Sequence, residues 1–208
     1  DIEITQPVSG LQIAEVEVSE YTGFNISCFG EDNGWINVTT TGGSGNYTYE
    51  WSGPNNFIGD TPSIDNLKPG AYQLTITDQN GCEVITDLIN INEPAPLQSN
   101  SNVSLHNGYE ITCHEADNGS IALAPSGGTG NYTISWTGPQ GFASTEALVN
   151  GLAPGNYEVI IVDENGCEIT EQYTISEPEP LSLNVLDKVD VLCYGEATGS
   201  ISIQVEGG

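Results

Sequence analysis

The segment Leu67–Ile76, which reads LKPGAYQLTI, joins a tight turn to an alternating strand. Pro-Gly is a turn dipeptide. From Tyr72 onward apolar residues alternate with others, a pattern that predicts a strand with one face on a core. The same pattern, Leu-x-Pro-Gly-x-Tyr followed by alternation, returns at Leu152–Ile161. Two copies of one turn and strand indicate an internal repeat.

The repeat extends well beyond this segment. Residues 28–83 align with residues 113–168 at a constant offset of 85, with 25 identities in 56 positions. The motif that begins at Cys28 and Cys113 begins again at Cys193. We therefore predict the end of a preceding repeat at residues 1–10, complete repeats at 11–94 and 95–178, and the first strands of a further repeat at 179–208. The natural protein is expected to be longer.

Each copy is predicted to be a small β-sandwich. Alternating runs separated by Gly, Pro and Asn turns give about seven short strands per copy, with no helical spacing. The Leu-x-Pro-Gly-x-Tyr pattern resembles the tyrosine corner of immunoglobulin-like sandwiches. We expect core aromatic residues at Trp51, Tyr72, Trp136 and Tyr157. The predicted fold class is all-β, as tandem Ig-like or fibronectin-like antiparallel sandwiches joined end to end.

The five cysteines fall at repeated positions. Cys28 and Cys82 are 54 positions apart, as are Cys113 and Cys167, whereas the pairs Cys82–Cys113 and Cys167–Cys193 are 31 and 26 apart. A bond that belongs to the repeat should keep a constant spacing, so we predict disulfides Cys28–Cys82 and Cys113–Cys167. The partner of Cys193 is then expected beyond residue 208. Stable disulfides indicate an extracellular, cell-surface or periplasmic location.

The charge of the chain excludes several partners. Asp and Glu number 29 against 2 Lys and no Arg, which gives a formal net charge of −27. Nothing could neutralise a nucleic-acid backbone or an anionic membrane surface. No apolar run approaches the ~18 residues needed to cross a bilayer. The N-terminal residues lack the features of a signal peptide, so any export signal is expected outside this sequence.

Taken together, the motifs resemble the SprB repeat of large surface adhesins of Bacteroidetes. In the first complete copy they are carried by Cys28, Gly42, Trp51, Leu67, Gly70, Tyr72, Asp78, Gly81, Cys82 and Pro94. In the second copy they are carried by Cys113, Gly127, Trp136, Leu152, Gly155, Tyr157, Asp163, Gly166, Cys167 and Pro178. Glu115 departs from the pattern, since Gly30 and Gly195 stand there in the other copies.

This resemblance implies a long, exported, filamentous adhesin associated with gliding motility and secreted by the type IX system. The repeat would form its stalk and would have no catalytic role. Its partners would be neighbouring repeats of the same chain, together with surface polysaccharide or the gliding machinery.

Calcium is a second hypothesis, because hard oxygen ligands recur in the acidic turns and at the Glu-Pro junctions. The candidate ligands are Glu31, Asp32, Glu93, Glu115, Asp117 and Glu177. The alternative is a solvated acidic surface. The sequence Asp78-Gln79-Asn80-Gly81 superficially resembles a calcium loop but is too short for an EF-hand, and a hairpin turn with a positive φ explains it better.

Trp35 is a candidate ligand platform. It is out of phase with Ile36 and Val38, so its side chain should point away from the core, and its repeat equivalents are Ser120 and Ser200. It either packs against a loop or a neighbouring copy, or offers an aromatic surface to a sugar. The alternative function is therefore an array of carbohydrate-binding modules that contact polysaccharide directly.

No enzyme is predicted. The two histidines, His106 and His114, do not recur as histidines in the other copies, and no Cys-x-x-Cys occurs. Zinc binding and nucleophilic catalysis are disfavoured on these grounds. Paired carboxylates in so acidic a chain do not indicate a glycosidase.

Overall fold

The computed structural model describes residues 9–208, which form antiparallel strands joined by short turns. The predicted tail of a preceding repeat, residues 1–10, lies outside the described residues except for its last two. The strands are β1 (Gln12–Val18), β2 (Gly34–Thr41), β3 (Thr48–Gly53), β4 (Phe57–Gly59), β5 (Ser63–Leu67), β6 (Gly70–Thr77), β7 (Glu83–Ile85), β8 (Ile89–Ile91), β9 (Ser101–Val103), β10 (Gly119–Leu123), β11 (Thr133–Thr137), β12 (Ala143–Ser144), β13 (Leu148–Leu152), β14 (Gly155–Val162), β15 (Glu168–Ile175), β16 (Ser182–Val189) and β17 (Ser200–Glu206). Single 3₁₀ turns lie at Pro54–Asn56 and Pro139–Gly141.

The chain divides into two compact units. The first contains the described residues up to Gln98 together with Ser126–Tyr132 and Val162–Glu168. The second contains Ser99–Pro125, Thr133–Ile161 and Ile169–Gly208. No helix within residues 9–208 has the length and apolar character needed to cross a membrane. The boundaries of the repeats, at 11–94, 95–178 and 179–208, stay predictions.

The first unit is a two-sheet sandwich. One sheet has the strand order β1-β2-β5, and the other has the order β4-β3-β6-β7, with β8 paired to β6. In β6, Tyr72, Leu74 and Ile76 are buried while the residues between them are more exposed, because alternate side chains face opposite sides of a strand. The buried cluster consists of Ile26, Ile36, Val38, Trp51, Ile64, Leu67, Tyr72, Leu74, Ile76 and Ile91.

The second unit repeats this arrangement. Its sheets have the orders β9-β10-β13 and β12-β11-β14-β15, and a separate ladder pairs β16 with β17. Its buried apolar residues are Ile111, Ile121, Leu123, Ile134, Trp136, Val149, Leu152, Tyr157, Val159, Ile161 and Ile175. The side chains of β16 and β17 are all exposed. The fold class predicted from the sequence, antiparallel Ig-like sandwich repeats, is confirmed.

The tyrosine corner is present in both copies. The Tyr72 hydroxyl donates a hydrogen bond to the Lys68 carbonyl oxygen at 2.9 Å, and the Tyr157 hydroxyl donates to the Ala153 carbonyl oxygen at 3.0 Å. Burial raises the pKa of both phenols above the ordinary value. A Cβ on Gly53 would lie 2.5 Å from Tyr72 Cδ1, so glycine is required where β3 passes the ring.

The tryptophans predicted to be in the core are buried as well. Trp51 is 3% exposed and Trp136 is 1% exposed. Each indole nitrogen donates to a backbone carbonyl oxygen, Thr61 at 2.8 Å and Glu146 at 3.0 Å. A buried indole N–H is costly without an acceptor, so these hydrogen bonds let a large apolar ring fill the centre of each sandwich.

Candidate functional site: the cysteine loops and the Asn-Gly-Cys turns

Two kinds of repeated segment carry four of the five cysteines. The connection between β1 and β2, residues 19–33, is called here the first cysteine loop, and the connection between β9 and β10, residues 104–118, the second. The connections after β6 and β14, residues 78–82 and 163–167, are called the first and second Asn-Gly-Cys turns. The first loop and both turns belong to the first unit, and the second loop belongs to the second unit.

The first cysteine loop is held by its own hydrogen bonds. Tyr21 and Phe24 exchange backbone hydrogen bonds of 2.7 and 3.0 Å around a reverse turn. The Ser19 hydroxyl is buried and donates to the Asn25 carbonyl oxygen at 2.6 Å. The Asn33 side chain donates to the Ser27 hydroxyl at 2.6 Å and accepts from the Ser27 backbone N–H at 3.1 Å. These hydrogen bonds hold the backbone around Cys28 without the help of a disulfide.

The second Asn-Gly-Cys turn is organised by one carboxylate. Asp163 Oδ1 accepts backbone N–H bonds from Asn165 at 3.0 Å and from Cys167 at 2.9 Å. Its other oxygen accepts from the Thr129 backbone N–H at 2.8 Å. Gly166 has φ 85°, a conformation that favours glycine. Asp163 thus explains why Asp, Asn-Gly and Cys recur at this spacing.

The second turn docks on the first loop through Asn165. Its side-chain nitrogen donates to the Ser27 carbonyl oxygen at 3.1 Å and to the Tyr21 carbonyl oxygen at 3.4 Å. Its side-chain oxygen accepts from the Thr22 hydroxyl at 2.7 Å. Cys28 and Cys167 form a disulfide at this contact, with Cα atoms 5.6 Å apart.

The predicted pairs Cys28–Cys82 and Cys113–Cys167 are therefore wrong. The structure joins Cys28 to Cys167, at a sequence separation of 139. The spacing argument failed because any pair of repeated positions has a constant spacing, and 139 is the repeat offset of 85 plus the internal spacing of 54. What selects the partner is the docking of Asn165 on backbone carbonyl groups beside Cys28. Cys82, Cys113 and Cys193 are free and exposed within the described part of the chain.

The first Asn-Gly-Cys turn has the same internal geometry, and within residues 9–208 it is not docked on a cysteine loop. Asp78 Oδ1 accepts from the backbone N–H groups of Asn80 and Cys82, both at 2.9 Å. The pKa of Asp78 is lowered to about 2, first because its carboxylate accepts the Cys82 N–H, and also because it accepts the N–H groups of Ser44 and Asn80. The carboxylate stays ionised at every physiological pH, so this turn keeps its shape.

Three of the six carboxylates proposed for calcium have other partners in the structure. Glu93 accepts the Gly30 backbone N–H at 2.7 Å, and Glu177 accepts the Glu115 backbone N–H at 2.6 Å. Asp32 forms an exposed ion pair with Lys68 at 3.3 Å. Across residues 9–208, no three His, Cys, Asp or Glu side chains are grouped so that they could hold a metal ion. Calcium binding by Glu31, Asp117 and the other four carboxylates stays a hypothesis.

Two other candidate residues lie apart from the disulfide. Trp35 is 38% exposed between the buried Gly34 and Ile36, so its side chain points away from the core. His114 Nδ1 lies 3.1 Å from a Glu177 carboxylate oxygen on the surface of the second unit. The absence of catalysis stays a prediction.

Two residues of this contact, Asn165 and Thr22, were not predicted from the sequence as functional. Repetition could have indicated them, because Asn-Gly-Cys recurs intact at residues 80–82 and 165–167, and a glycine follows both Thr22 and its equivalent Asn107. We assigned the asparagine only to its turn. The side-chain amide of Asn165 makes the docking contact, and hydrophobic periodicity does not reveal such polar contacts.

The SprB repeat family matches three regions of the chain, residues 24–56, 110–141 and 185–208. Each region begins near a repeated cysteine motif, and the first two end at the 3₁₀ turn after the buried tryptophan. The resemblance drawn from the motifs is thereby confirmed.

No curated protein matches the chain. Among solved structures, the chain is similar to one described as the crystal structure of Dpr2 Ig1-Ig2 in complex with DIP-Theta Ig1-Ig3. The identity is 12% and the TM-score 0.31, and the match covers 86% of this chain and 70% of that one.

Proposed function

We propose, on the premise that this chain carries three segments of the SprB repeat, that it is part of the structural stalk of a long cell-surface adhesin. The three family matches are the observation that carries this proposal. The family is that of surface adhesins associated with gliding motility. In this role the repeats hold or present adhesive regions outside the cell, in cell adhesion and gliding, after export by the type IX system.

The surface chemistry supports an extended array. The net charge is −27, and apart from the two histidines the basic side chains of the sequence are Lys68 and Lys188. Both lysines are more than half exposed, so their ion pairs with Asp32 and Asp190 contribute little stability. Like charges oppose collapse and self-association, and salt reduces this repulsion.

The disulfide supports a load-bearing role. Cys28 and Cys167 enclose 139 positions of sequence, so force applied at the two ends of the chain cannot extend the segment between them while the bond is intact. The enclosed segment contains the tyrosine corners and tryptophans of both copies. A stalk built in this way limits its own lengthening under tension.

Single-molecule pulling tests this function on the full chain, held by its two ends. Reduction is expected to add about 490 Å of contour length, because 139 positions are released and each extended residue spans ~3.5 Å. Bonds closed within each copy would instead release two separate lengths of about 190 Å.

The matched control is Cys28→Ser, which should give the long extension without reductant, whereas Cys113→Ser should behave as the original chain. Contour lengths that do not change on reduction would contradict the load-bearing role. Loss of surface attachment or gliding on deletion of the repeats, with the adhesive regions still exported, tests the cellular role.

Direct carbohydrate binding is the second candidate function, and the exposed Trp35 is the observation that favours it. Aromatic rings supply large contact areas to ligands. The equivalent residues Ser120 and Ser200 carry no ring, so one copy would bind and the others would not. Glycan binding that is retained by Trp35→Phe and lost in Trp35→Ala would support this function over the stalk.

A further inference from the structure

We infer that the second cysteine loop is a receiving site for the Asn-Gly-Cys turn of another copy of the repeat, which it would bind by disulfide formation at Cys113. The bond between Cys28 and Cys167 is then one link of a series in which each copy is joined to the turn of a neighbouring copy. The inference does not depend on what the array presents, so it stands apart from the proposed stalk function.

The second loop has the same internal framework as the first. His106 and Tyr109 exchange backbone hydrogen bonds of 2.6 and 3.0 Å, as Tyr21 and Phe24 do. The remaining shared hydrogen bonds run from the Ser104 hydroxyl to the Glu110 carbonyl oxygen (2.6 Å), from the Ser120 N–H to the Ser104 hydroxyl (2.9 Å), from the Asn118 side chain to the Thr112 hydroxyl (2.7 Å), and from the Thr112 N–H to the Asn118 side-chain oxygen (3.2 Å). The loop is preorganised although Cys113 is unbonded.

The atoms that hold Asn165 on the first loop have counterparts on the second. Asn165 is bound by the carbonyl groups of Tyr21 and Ser27, which correspond to backbone carbonyl groups of His106 and Thr112. Backbone acceptors remain available whatever the side chain is. The hydroxyl of Thr22 is replaced by the amide of Asn107, which also offers a donor. Thr22 has φ 45° and Asn107 has φ 52°, so the two side chains leave equivalent backbone positions.

The loops differ in how much of this surface is covered. Cys28, Ser27 and Tyr21 are half-buried, whereas Cys113, Thr112 and His106 are exposed. The surface that is exposed on the second loop corresponds to the surface that the second Asn-Gly-Cys turn covers on the first loop. The contacts that such a turn makes are those seen at the first loop. A turn of this kind also keeps its shape when it is not docked, because Asp78 accepts the Cys82 N–H in the first turn as Asp163 accepts the Cys167 N–H in the second.

The bond can form by thiol–disulfide exchange. The Cys113 thiolate attacks a turn cysteine that is held as a mixed disulfide with a small thiol, and a Cys113–turn sulfur bond forms as the mixed disulfide breaks. The small thiolate leaves with the electron pair, and the proton of Cys113 goes to solvent. The oxidising equivalent comes from the small-molecule disulfide that made the mixed species.

The test uses two forms of the full chain. The acceptor is the original chain, in which Cys82, Cys113 and Cys193 are free. The donor is the Cys113→Ser/Cys193→Ser chain, in which Cys82 of the first Asn-Gly-Cys turn carries thionitrobenzoate as a mixed disulfide. Each exchange releases a coloured thiolate, and mass spectrometry assigns the product to Cys82, Cys113 or Cys193 of the acceptor. Glutathione carrying the same group is the control probe, which corrects for the intrinsic reactivity of each thiol.

After this correction, the donor turn should react about tenfold faster at Cys113 than at Cys82 of the acceptor, because hydrogen bonds like those of Asn165 form only at a cysteine loop. Asn80→Ala in the donor should remove this preference, and Asn107→Gly in the acceptor, which keeps the positive φ, should reduce it. Equal corrected rates at Cys113 and Cys82 would overturn the inference. A preference that survives Asn80→Ala would overturn it as well.

Discussion

The two cysteine loops have the same hydrogen-bonded framework, and only the first carries a disulfide. In the first, Cys28 is bonded and Asn165 contacts the reverse turn at Tyr21 and Thr22. In the second, Cys113 is free and the corresponding surface is exposed. The shape of the loop therefore comes from local hydrogen bonds, and the disulfide adds a long-range connection to a structure that already exists.

This difference separates two tasks that a disulfide could have in a small domain. A bond that closes each sandwich would compensate for a small core. The observed bond leaves the copies to rely on their own buried residues, which include a tryptophan and a tyrosine corner in each. The bond between Cys28 and Cys167 instead joins two segments of the first compact unit that lie 139 positions apart in sequence.

The largest expected effect is the loss of this connection. Cys28→Ser should lower the free energy of unfolding by roughly 2–5 kcal/mol, toward the upper end because the closed loop is long. Denaturant unfolding of the oxidised chain measures it. Cys113→Ser is the matched control in the second loop and should change the free energy by less than about 0.5 kcal/mol, because the side chain is exposed and unbonded. Equal losses in the two variants would contradict the comparison.

The second largest effect is expected from the hydrogen bonds that dock Asn165 on the first cysteine loop, measured without the disulfide. Asn165→Ala removes the side chain that binds Thr22, Tyr21 and Ser27, and should destabilise the chain by about 1–2 kcal/mol. Asn80→Ala changes the same position of the exposed first turn and should be nearly neutral. Both free energies can be measured with the cysteines reduced, which isolates docking from the covalent bond. A neutral Asn165→Ala would mean that the bond alone holds the turn.

A smaller effect is expected at the position where the loops differ in sequence. Gly30 has φ 81° and Glu115 has φ 58°, so the second loop holds a side chain in a conformation that suits glycine. Glu115→Gly should stabilise the second unit by up to about 1 kcal/mol, and Gly30→Ala should destabilise the first by a similar amount. A Cβ on Gly30 would meet no atom within 4 Å, so the change reports backbone conformation alone. Thermal melts of the two variants, shifted in opposite directions, would confirm this.

The smallest expected effect is a pH dependence of local stability that the second cysteine loop has and the first does not. Glu110 binds the backbone N–H and hydroxyl of Ser176, and the hydroxyl contact is the main cause of its lowered pKa. A lowered pKa means that the ionised group stabilises the folded chain fully above its ordinary pKa of 4.5, and that this contribution is lost as pH falls below that value. The equivalent bond in the first unit joins Asn25 to the Asn92 N–H and does not titrate. Amide exchange at Ser176 should therefore rise in acid relative to Asn92, and parallel changes would argue against this role of Glu110.

The sandwich could be predicted from sequence because it depends on local and periodic signals. Alternation in β6 and β14 placed Tyr72 and Tyr157 on the buried face, and the Pro-Gly turn before each predicted the corner. These features need only a strand and the turn that precedes it.

The disulfide pairing could not be obtained in the same way. Cysteine positions in a repeat fix the spacing of every possible pair equally, and the choice between them depends on which surfaces meet in three dimensions. Here the choice rests on one amide side chain and two carbonyl groups, and carbonyl groups are present at every residue. The hydrogen bonds of two proposed calcium ligands could not be predicted for a similar reason, since Glu93 and Glu177 bind backbone N–H groups that no sequence motif displays.

The bond between Cys28 and Cys167 also makes a covalent ring of most of the chain. A single protease cut anywhere inside that ring, for example at the exposed turn containing Asn80, would open the backbone without separating the fragments. After such a cut, the segments on either side of the ring stay covalently joined through the sulfur bridge, until that bridge is reduced or the chain is cut outside the ring.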